Sequence, residues 1–414
     1  MITKSELHPT IKHKLAENKV VQFTPIQQAT LSSFINKVNF VGLASTGSGK
    51  TMAFLLPVIS NMLHNPGSCT LIVTPTRELA NQIYRVAQLY SAETAVTPLL
   101  LIGGTSVRAN EVALSRKPNL VIGTPGRIKH HLSVISKLEI NTLIFDEVDQ
   151  MLTIGFKDEF NKFMEVFKGD LVHKVFFSAT LPIKTKELLV SHVPEVTVID
   201  VTADSVKPII KEEHVRVSAD GKPAALLQIA EESSSALIFV NTKHECRNIQ
   251  KILRTGGHEA RILNGDLSSA QRARSVRDFT NLTAPFLIAT DVASRGLDFK
   301  DLPVVINYDI PPLANSYVHR IGRTGRTGKE GIAYSLISPK EEVYIQRIKS
   351  FTVDNILIKD DKPKFGARRT SSRGSPSGGK PSYSRPFVHS SKKPFGTRSP
   401  RPSTFTKKPK PPTS

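Results

Sequence analysis

Residues 40–63 read FVGLASTGSGKTMAFLLPVISNML, and this stretch decides the fold that we expect for the chain. Four apolar residues, 40–43, run directly into a loop that is rich in Gly and Ser, and the loop opens a longer amphipathic segment. The order of strand, glycine loop and helix is half of a βαβ unit, the building block of parallel sheets. The stretch therefore predicts that the strand at 40–43 belongs to a parallel sheet.

The same rhythm of strand, turn and helix recurs along most of the chain. Apolar runs rich in Val, Ile and Phe stand at residues 40–43, 71–73, 120–122, 143–145, 175–177, 237–240, 261–263, 286–288, 304–306 and 332–337. Near-continuous apolar strands separated by helices indicate parallel sheets that are covered on both faces. The rhythm pauses around residues 203–208, so we predict an α/β protein with domains at 1–202 and 209–358 and a linker between them.

The charge of the chain is concentrated at its C-terminal end. Of the formal net charge of +20, residues 359–414 carry 15 Lys/Arg and 2 Asp, a net of +13, which leaves +7 for the other 358 residues. A surplus of this size points to a polyanionic partner. The same segment is rich in Ser, Pro and Gly and poor in apolar residues, so we expect it to be a disordered basic tail.

Other classes of protein are disfavoured by what the sequence lacks. The N-terminal residues have no apolar core of a secretory signal, and no run of about 18 apolar residues predicts a membrane span. Cys69 and Cys246 are far apart and have no metal-ligand spacing, which indicates two ordinary reduced thiols.

The loop after the first strand has the composition of a phosphate-binding loop. Its residues are Ala44, Ser45, Thr46, Gly47, Ser48, Gly49, Lys50 and Thr51. Backbone N–H groups of such a loop and the start of the following helix favour phosphate oxygens. Lys50 would reach the β- and γ-phosphates of a nucleotide, and the hydroxyl of Thr51 would hold Mg²⁺.

A second motif is acidic: Asp146 to Asp149 directly follow the apolar strand at 143–145. A carboxylate at a strand end that faces the phosphate loop is placed to bind Mg²⁺, which we assign to Asp146. Glu147 is suited to orient and deprotonate the attacking water. The alternative is a pair of acids that only stabilise a helix N-terminus. The phosphate loop favours the catalytic interpretation.

Together these motifs resemble the DEAD-box family of superfamily 2 helicases, over about residues 1–358. In chain order the motifs are TPIQ (24–27), ASTGSGKT (44–51), PTRELA (75–80), GG (103–104), TPGR (124–127), DEVD (146–149), SAT (178–180), FVN (239–241), the pair Gln271 and Arg274, ATDVASRGLD (289–298) and HRIGRTGR (319–326). The resemblance implies two tandem RecA-like domains, each a parallel sheet flanked by helices. It also implies an ATP-dependent RNA helicase that uses ATP and Mg²⁺.

The resemblance assigns further roles around the nucleotide. It implies that Gln27 reads adenine, because a side-chain amide can donate and accept at once. It implies that Asp298 contacts the ribose and that Ser178 and Thr180 link the ATP site to RNA. The catalytic set that it implies is Lys50, Asp146, Glu147 and the two arginine fingers Arg323 and Arg326. Arginine fingers act on the γ-phosphate and contribute about 10³–10⁵ in rate.

The RNA site implied by the resemblance spans both domains. Its residues are Thr76, Arg77, Gly104, Thr124, Arg127, Arg274 and Thr290. Loop hydroxyls, backbone amides and Arg side chains suit sugar–phosphate contacts, so we expect little sequence preference.

Four positions depart from the family pattern. Val148 replaces the Ala of the family tetrapeptide and is expected to have little effect, and Asn264 stands where His is usual. Ile2 aligns with an aromatic that stacks on adenine, and Phe23 stands where Pro is usual. We therefore expect weaker adenine stacking and less strict selectivity for ATP.

Three functions are compatible with these motifs: an ATP-driven enzyme that unwinds short RNA duplexes, an ATP-gated RNA clamp with little unwinding, and a DNA helicase. The closeness of the motif match disfavours the third. The compact core with a short basic tail resembles bacterial members that act with ribosome-assembly or RNA-decay proteins in the cytoplasm. A eukaryotic nucleolar enzyme is the alternative.

Overall fold

The computed structural model of the chain describes residues 6–45, 47–169, 171–202, 209–294, 299, 302–325 and 330–352. Several predictions fall outside this part of the chain. They concern Ile2, Thr46, Asp298, Arg326, the linker at 203–208 and the basic tail at 359–414. The two sheets described below belong to one compact unit.

The first sheet has seven strands in the order β3-β4-β2-β5-β6-β1-β7, and all of its pairs are parallel. The strands are β1 (Phe40–Leu43), β2 (Cys69–Val73), β3 (Pro98–Leu101), β4 (Leu120–Gly123), β5 (Ile140–Phe145), β6 (His173–Ser178) and β7 (Thr197–Asp200). The five apolar runs of this half are all strands, which confirms the parallel sheet. β3 and β7, which form the two edges, were not predicted.

Helices cover both faces of this sheet. They are α1 (Pro9–Glu17), α2 (Pro25–Ile35), α3 (Lys50–His64), α4 (Arg77–Ser91), α5 (Val107–Ser115), α6 (Pro125–His130), α7 (Leu132–Ile135), α8 (Val148–Thr153), α9 (Lys157–Val166) and α10 (Ile183–His192). Alternate strand residues enter opposite cores, because successive side chains of a strand point to opposite faces. Phe40 packs in one core and Val41 in the other. The sheet is therefore buried on both sides, as its continuous apolar strands predicted.

The second sheet has six strands in the order β10-β11-β9-β12-β13-β8, again with parallel pairs. The strands are β8 (Ile209–Arg216), β9 (Ala236–Val240), β10 (Ala260–Leu263), β11 (Phe286–Thr290), β12 (Val304–Asn307) and β13 (Glu330–Ile337). The helices of this half are α11 (Lys222–Glu232), α12 (Lys243–Thr255), α13 (Ser269–Thr280), α14 (Asp291–Ser294), α15 (Ala314–Ile321) and α16 (Glu342–Thr352). The prediction of two parallel sheets flanked by helices is confirmed.

β8 was missed because its sequence, IIKEEHVR, contains five charged or titratable side chains among its eight residues. The strand lies at the edge of its sheet and pairs with β13 alone. Within β8, Glu212 and Val215 are buried while Ile209 and Arg216 are exposed. An edge strand of this kind lacks the apolar run by which central strands are recognised.

The strand order places the polar motifs side by side. In the middle of the first sheet, neighbouring strands β2, β5, β6 and β1 end in PTRELA, DEVD, SAT and the phosphate loop. The register brings Val73 beside Phe145 and Leu43 beside Ser178 at the ends of these strands. The carboxyl ends of parallel strands form one edge, where ligands of such sheets bind.

Among the described residues no helix is long and apolar enough to cross a membrane.

Candidate nucleotide and RNA site

The phosphate loop depends on two glycines with left-handed backbone. Gly47 has φ 83° and Gly49 has φ 92°, a region that favours glycine. A Cβ at Gly49 would also lie 2.5 Å from the amide nitrogen of Gln27. Gly49 is the N-cap residue of α3, so the loop delivers the chain to a helix start, where free N–H groups attract anions.

Lys50 and Ser48 define the polar lining of this loop. The ammonium of Lys50 is buried and donates to the carbonyl oxygens of Ala44 at 2.7 Å and Ser45 at 2.9 Å. The hydroxyl of Ser48 is buried without a hydrogen-bond partner in the described part of the chain. A buried hydroxyl without a partner loses its hydration energy unless a ligand compensates it. The loop thus has the chemistry for a phosphate group.

Both polar atoms of the Gln27 side-chain amide form hydrogen bonds within the protein. Its Oε1 accepts from the backbone N–H of Thr24 at 3.0 Å, within a capping box that starts α2. Its Nε2 donates to the carbonyl of Gly49 at 3.1 Å. An amide has two donor hydrogens and two acceptor lone pairs, so one of each is left for adenine. Gln27 therefore joins the start of α2 to the phosphate loop.

Asp146 and Glu147 are both buried at the end of β5. The carboxylate of Asp146 accepts from the backbone N–H of Glu147 at 3.0 Å. Burial raises the pKa of Asp146 to about 6, against the opposing charge of Lys50. Burial and then the charge of Asp146 raise the pKa of Glu147 to about 7, while Arg323 and Lys50 act in the opposite direction. Because it titrates near neutrality, Glu147 is suited to proton transfer.

The carboxylate of Glu147 is held with one oxygen unused. Its Oε2 is buried and has no hydrogen-bond partner among the described residues. Glu147 also has φ 53° and ψ 48°, a left-handed conformation that few side chains adopt. A buried acceptor at the end of a central strand is available to a water molecule or ligand.

Thr180 connects the acidic motif to the second domain. Its hydroxyl donates to Asp149 at 2.6 Å, and its backbone N–H donates to the same oxygen at 3.2 Å. The hydroxyl of Ser178 donates to the carbonyl of Thr180 at 2.7 Å. From the second domain, Asn315 on α15 donates to the hydroxyl of Thr180 at 3.3 Å, and His319 lies 3.9 Å from Asp149. The SAT motif is therefore in contact with both domains.

Arg323 follows α15 and is buried beside this junction. It is close enough to Glu147 that its charge lowers the pKa of that carboxyl group. An Arg of the second domain therefore lies near the acidic motif of the first. The two other second-domain residues assigned to the nucleotide, Arg326 and Asp298, lie outside the described residues.

The sequence did not single out Arg320, which the structure shows as the centre of a buried network. Its guanidinium donates to Asp291 at 2.6 and 2.9 Å, to Asn241 at 2.9 Å and to the carbonyl of Asp309 at 2.7 Å. It also lies over the ring of Phe239, 5.1 Å from the centroid. These contacts tie α15 to the ends of β9, β11 and β12. The position of Arg320 within the HRIGRTGR motif (319–326) was the available signal.

The predicted RNA residues of the first domain follow β2 and β4. Thr76 caps α4, and its hydroxyl accepts from the backbone N–H of Leu79 at 3.3 Å. The guanidinium of Arg77 packs against Gly103, where a Cβ would meet it at 2.6 Å. Arg127 donates to the carbonyl of Thr105 at 2.8 Å.

Two further residues of this group lie nearby, Thr124 after β4 and Gly104 after β3. Thr124 occupies the N-cap position of α6 without a side-chain capping bond, and Gly104 has φ 89°. The second nitrogen of the Arg127 guanidinium, Nη1, is buried and has no hydrogen-bond partner within the described part of the chain. The first-domain residues of the predicted RNA site therefore share one side of the sheet edge.

In the second domain, Thr290 is the last residue of β11 and Arg274 is exposed on α13. Arg274 lies 3.8 Å from Asp278 on its own helix. It is Arg272, which was not predicted, that reaches the first domain, where it forms an ion pair with Glu78 at 2.7 Å. Each partner of this ion pair therefore neighbours a predicted RNA residue in the chain: Glu78 follows Arg77, and Arg274 lies two residues after Arg272 on α13.

The residues present fit Mg²⁺ in the manner of nucleotide sites. Among the described residues no group of three or more His, Cys, Asp or Glu could hold a metal by itself. Mg²⁺ is usually bound by one or two carboxylates together with substrate phosphates. A buried carboxylate at Asp146 beside the loop that carries Thr51 matches that donor set.

Two of the departures from the family pattern have a local structural explanation. Val148 is fully buried in a core, where a small apolar side chain fits. Asn264 is buried, and its side-chain oxygen accepts from the backbone N–H of Asp266 at 3.0 Å, which shapes the loop after β10. Phe23 packs against the first core. Cys69 and Cys246 are both free and buried.

Known proteins are similar to the chain in sequence and in fold. The model "DEAD/DEAH box helicase" matches residues 24–189, and "Helicase conserved C-terminal domain" matches residues 221–328. The chain is similar to ATP-dependent RNA helicase RhlB of Shewanella sp. (strain W3-18-1), with 36% identity over 366 residues, 85% of this chain and 83% of the relative.

Two solved structures resemble the chain. S. cerevisiae Dbp5 bound to RNA and ADP BeF3 has a TM-score of 0.74 and 27% identity, over 85% of this chain and 93% of Dbp5. Mss116p bound to ssRNA and AMP-PNP has a TM-score of 0.75 and 26% identity, over 85% of this chain and 76% of Mss116p.

Proposed function

The chain belongs to the DEAD/DEAH box helicase family and is an ATP-dependent RNA helicase, and from this premise we propose that it hydrolyses ATP to separate short RNA duplexes locally or to remodel ribonucleoprotein. One observation carries the proposal: Asn315 and Arg323 of the second domain approach Thr180 and Glu147 of the first. A hydrolytic site made from two domains can act only when they close. Closure around RNA then couples turnover to RNA binding.

The proposed chemistry is in-line attack of water on the γ-phosphorus of ATP. Glu147 orients the water and takes its proton, while a bond forms from the water oxygen to phosphorus and the bond to the β-phosphate oxygen breaks. Lys50 and Arg323, with Arg326, stabilise the charge on the transferred group. Thr51 and Asp146 would hold Mg²⁺, which neutralises phosphate charge when bound.

The remaining assignments concern binding. Gln27, Asp298 and the backbone of the phosphate loop would hold the nucleotide. The seven predicted RNA residues would contact the sugar–phosphate backbone, which supports binding with slight sequence preference. The RNA named in the two similar structures is consistent with this assignment.

Unwinding and clamping can be separated by one paired experiment. Displacement of a strand from a short RNA duplex is measured beside ATP turnover on the same RNA. We expect displacement to depend on ATP and to be lost in Glu147→Gln, which still binds ATP and RNA because its shape is kept. Turnover without displacement would replace unwinding by an ATP-gated clamp. Equal stimulation by DNA would indicate a DNA helicase.

The cellular role belongs to the proposal as well. We favour ribosome assembly or RNA decay in the cytoplasm, in contact with proteins of one of those processes. The bacterial origin of the similar RhlB sequences supports this choice over a nucleolar role. Crosslinking in cells tests it, since ribosomal precursor RNA and decaying messenger RNA are distinct products. Recovery of neither RNA class would contradict it.

A further inference from the structure

The outer face of α12 in the second domain carries a row of basic residues. They are exposed and are Lys243, Arg247, Lys251 and Arg254. At about 100° per residue, all four fall within about 80° of the helix circumference, and they extend over about 16 Å along its axis. The apolar residues of the helix pack on the core of the second sheet instead. The four side chains, which we call the basic row, therefore form one continuous positive face.

Little of the charge of the basic row is neutralised within the protein. The carboxylate of Asp266, in the loop after β10, lies 2.6 Å from Lys243 and 3.4 Å from Arg247. These three side chains are 45–61% exposed, so water and salt weaken both ion pairs. Lys251 and Arg254 form no ion pair with any residue that the structure describes. Four basic residues against one acid leave a net charge of +3.

The basic row begins beside the second-domain part of the predicted RNA site. Because α12 directly follows β9, Lys243 lies at the carboxyl edge of the sheet and Arg254 lies toward the opposite edge. A Cβ at Gly265 would lie 3.5 Å from Cε of Lys243, so the start of the row adjoins the loop after β10. That loop leads into α13, which carries Arg274. The row is therefore continuous with the predicted RNA site and leads away from it.

The part of the row farther from this edge borders a shallow depression. Arg247, Lys251 and Arg254 line it together with Gln250 and Thr255. None of these five side chains is aromatic, so the depression offers no surface on which a base could stack. Cationic and polar groups of this kind suit the sugar–phosphate backbone, which carries no sequence information.

We propose that the basic row of α12 is a second RNA-binding surface, which holds single-stranded RNA that continues beyond the predicted RNA site. Its charge is complementary to phosphate, and its upper end adjoins residues already assigned to RNA. A single row on one helix face matches one phosphate backbone, whereas a duplex presents two. The inference rests on the proposed function, because the RNA reaches the row from the site that stimulates ATP turnover.

The test removes the two charges that lie farthest from the predicted RNA residues. The variant is Lys251→Gln/Arg254→Gln, and the control is Arg116→Gln/Lys117→Gln. Arg116 and Lys117 are also exposed and stand at the C-terminal end of a helix, α5 of the first domain. The control thus makes the same change in charge at the same end of a helix, away from the basic row.

ATPase is titrated with single-stranded RNA of about 6 nucleotides, which one binding domain can cover, and of about 20 nucleotides. In Lys251→Gln/Arg254→Gln the concentration of the longer RNA for half-maximal ATPase should rise about threefold or more, and its log–log salt dependence should flatten by up to about 1.4. The requirement for the shorter RNA and the maximal rate should stay at the wild-type level. The control variant should change none of these quantities.

Asp266→Asn gives a change of the opposite sign. It removes the carboxylate that pairs with Lys243 and Arg247, so the longer RNA should be required at a lower concentration and its salt dependence should steepen. A requirement for the longer RNA that rises in Asp266→Asn contradicts the proposal.

Other occupants of the row give different results. If Lys251→Gln/Arg254→Gln keeps the wild-type requirement and salt dependence for the longer RNA, the proposal is overturned, and the row would suit an acidic protein instead. An increase for a blunt RNA duplex that equals the increase for the single strand contradicts the assignment to single-stranded RNA.

The wild-type protein with the shorter RNA keeps the two proposals apart. Turnover that this RNA stimulates supports the proposed function whatever the variants of α12 do. An absence of stimulation by either RNA in the wild type would contradict the proposed function itself.

Discussion

At the scale of single residues, the environment of Glu147 disfavours the ionised form of its carboxyl group. It is buried, its backbone is left-handed, and burial and the adjacent Asp146 raise its pKa to about 7. A carboxyl group whose pKa is higher in the folded than in the unfolded protein contributes stability that is fully present below the unfolded pKa. That contribution is lost as pH rises through the folded pKa.

This sign gives a prediction for the protein without ligand. In Glu147→Gln the side chain at this position is neutral at every pH, so the variant should not lose that stability as pH rises. We expect its melting temperature to equal that of the wild type near pH 4.5 and to exceed it by a few degrees at pH 8. Melting curves across this range check the prediction. A difference in melting temperature that does not vary between pH 5 and 8 would show that folding does not raise the pKa of Glu147.

Gly103 gives a second prediction at this scale, because its missing Cβ leaves space for the side chain of Arg77, which we assign to RNA binding. The three atoms nearest to a Cβ at Gly103 belong to the flexible guanidinium of Arg77, at 2.6–3.0 Å, whereas a Cβ at Gly123 meets the backbone carbonyl of Leu101 at 2.5 Å. Gly103→Ala should move Arg77 and raise the RNA concentration for half-maximal ATPase about threefold or more, at nearly unchanged stability. Gly123→Ala should lower stability by about 1–3 kcal/mol. Equal RNA affinity in Gly103→Ala and wild type would remove Arg77 from the RNA site.

At the scale of elements, α15 carries Asn315, which contacts Thr180 of the first domain, and it leads into Arg323, which we assign to the ATP site. Tyr317 fixes it to β8: its buried hydroxyl donates to Glu212 at 2.7 Å and lies 3.1 Å from Ser335. Tyr317→Phe leaves the Glu212 carboxylate buried with less compensation, so we expect a loss of about 1–3 kcal/mol in stability.

The control for this prediction is Glu212→Gln, which keeps an acceptor for the Tyr317 hydroxyl and removes the buried charge. Urea unfolding of both variants measures the effect. Tyr317→Phe should be clearly less stable than Glu212→Gln. The reverse order would mean that the Glu212 charge, rather than its hydrogen bond to Tyr317, holds α15 against β8.

The elements also show where sequence reasoning succeeds and fails. Central strands such as β2 and β12 are buried on both faces, so their apolar runs identify them. The strands that were missed, β3, β7 and β8, all lie at sheet edges: β7 is TVID and mostly exposed, and β8 is largely charged. The fourth edge strand, β10, was recognised from its apolar run at 261–263. β3 could have been recognised from the apolar run that follows Pro98, because edge strands tolerate a proline.

The same limit applies to the site. Lys50, Asp146 and Glu147 lie in local motifs at strand ends, so their proximity follows from the order of a parallel sheet. Arg272 and Arg320 act through contacts with residues that are remote in sequence, such as Glu78 and Asp291. No local pattern encodes those contacts, and only the folded chain brings the partners together.

At the scale of the whole molecule, residues 359–414 add a net charge of +13 to the folded part, although they lie outside the described residues. Aromatic residues stand among the basic ones at Phe365, Tyr383, Phe387, Phe395 and Phe405. Each can stack on an unpaired base for about 1–3 kcal/mol, while Lys and Arg meet phosphates. We therefore propose that this segment tethers RNA without taking part in the chemistry.

Deletion of residues 359–414 tests the tether. The RNA concentration for half-maximal ATPase should rise, and its dependence on salt should flatten, by about 0.7 in log–log slope for each single-strand phosphate no longer contacted. The maximal rate should survive, because Lys50, Glu147 and Arg323 remain. ATPase titrations with RNA at several salt concentrations measure both quantities. The same RNA requirement and salt slope after deletion would contradict the tether.

The central claim is that one ATP site is assembled from two domains when RNA is bound. ATP turnover as a function of RNA concentration, compared between the wild type and Arg323→Ala, tests it most directly. Arg323 belongs to the second domain and can reach the phosphates only after closure, so its loss should leave ATP binding intact. We predict turnover that rises with RNA and saturates in the wild type, and a loss of about 10³-fold or more in Arg323→Ala. RNA-stimulated turnover retained in Arg323→Ala, or turnover in the wild type that ignores RNA, would contradict the claim.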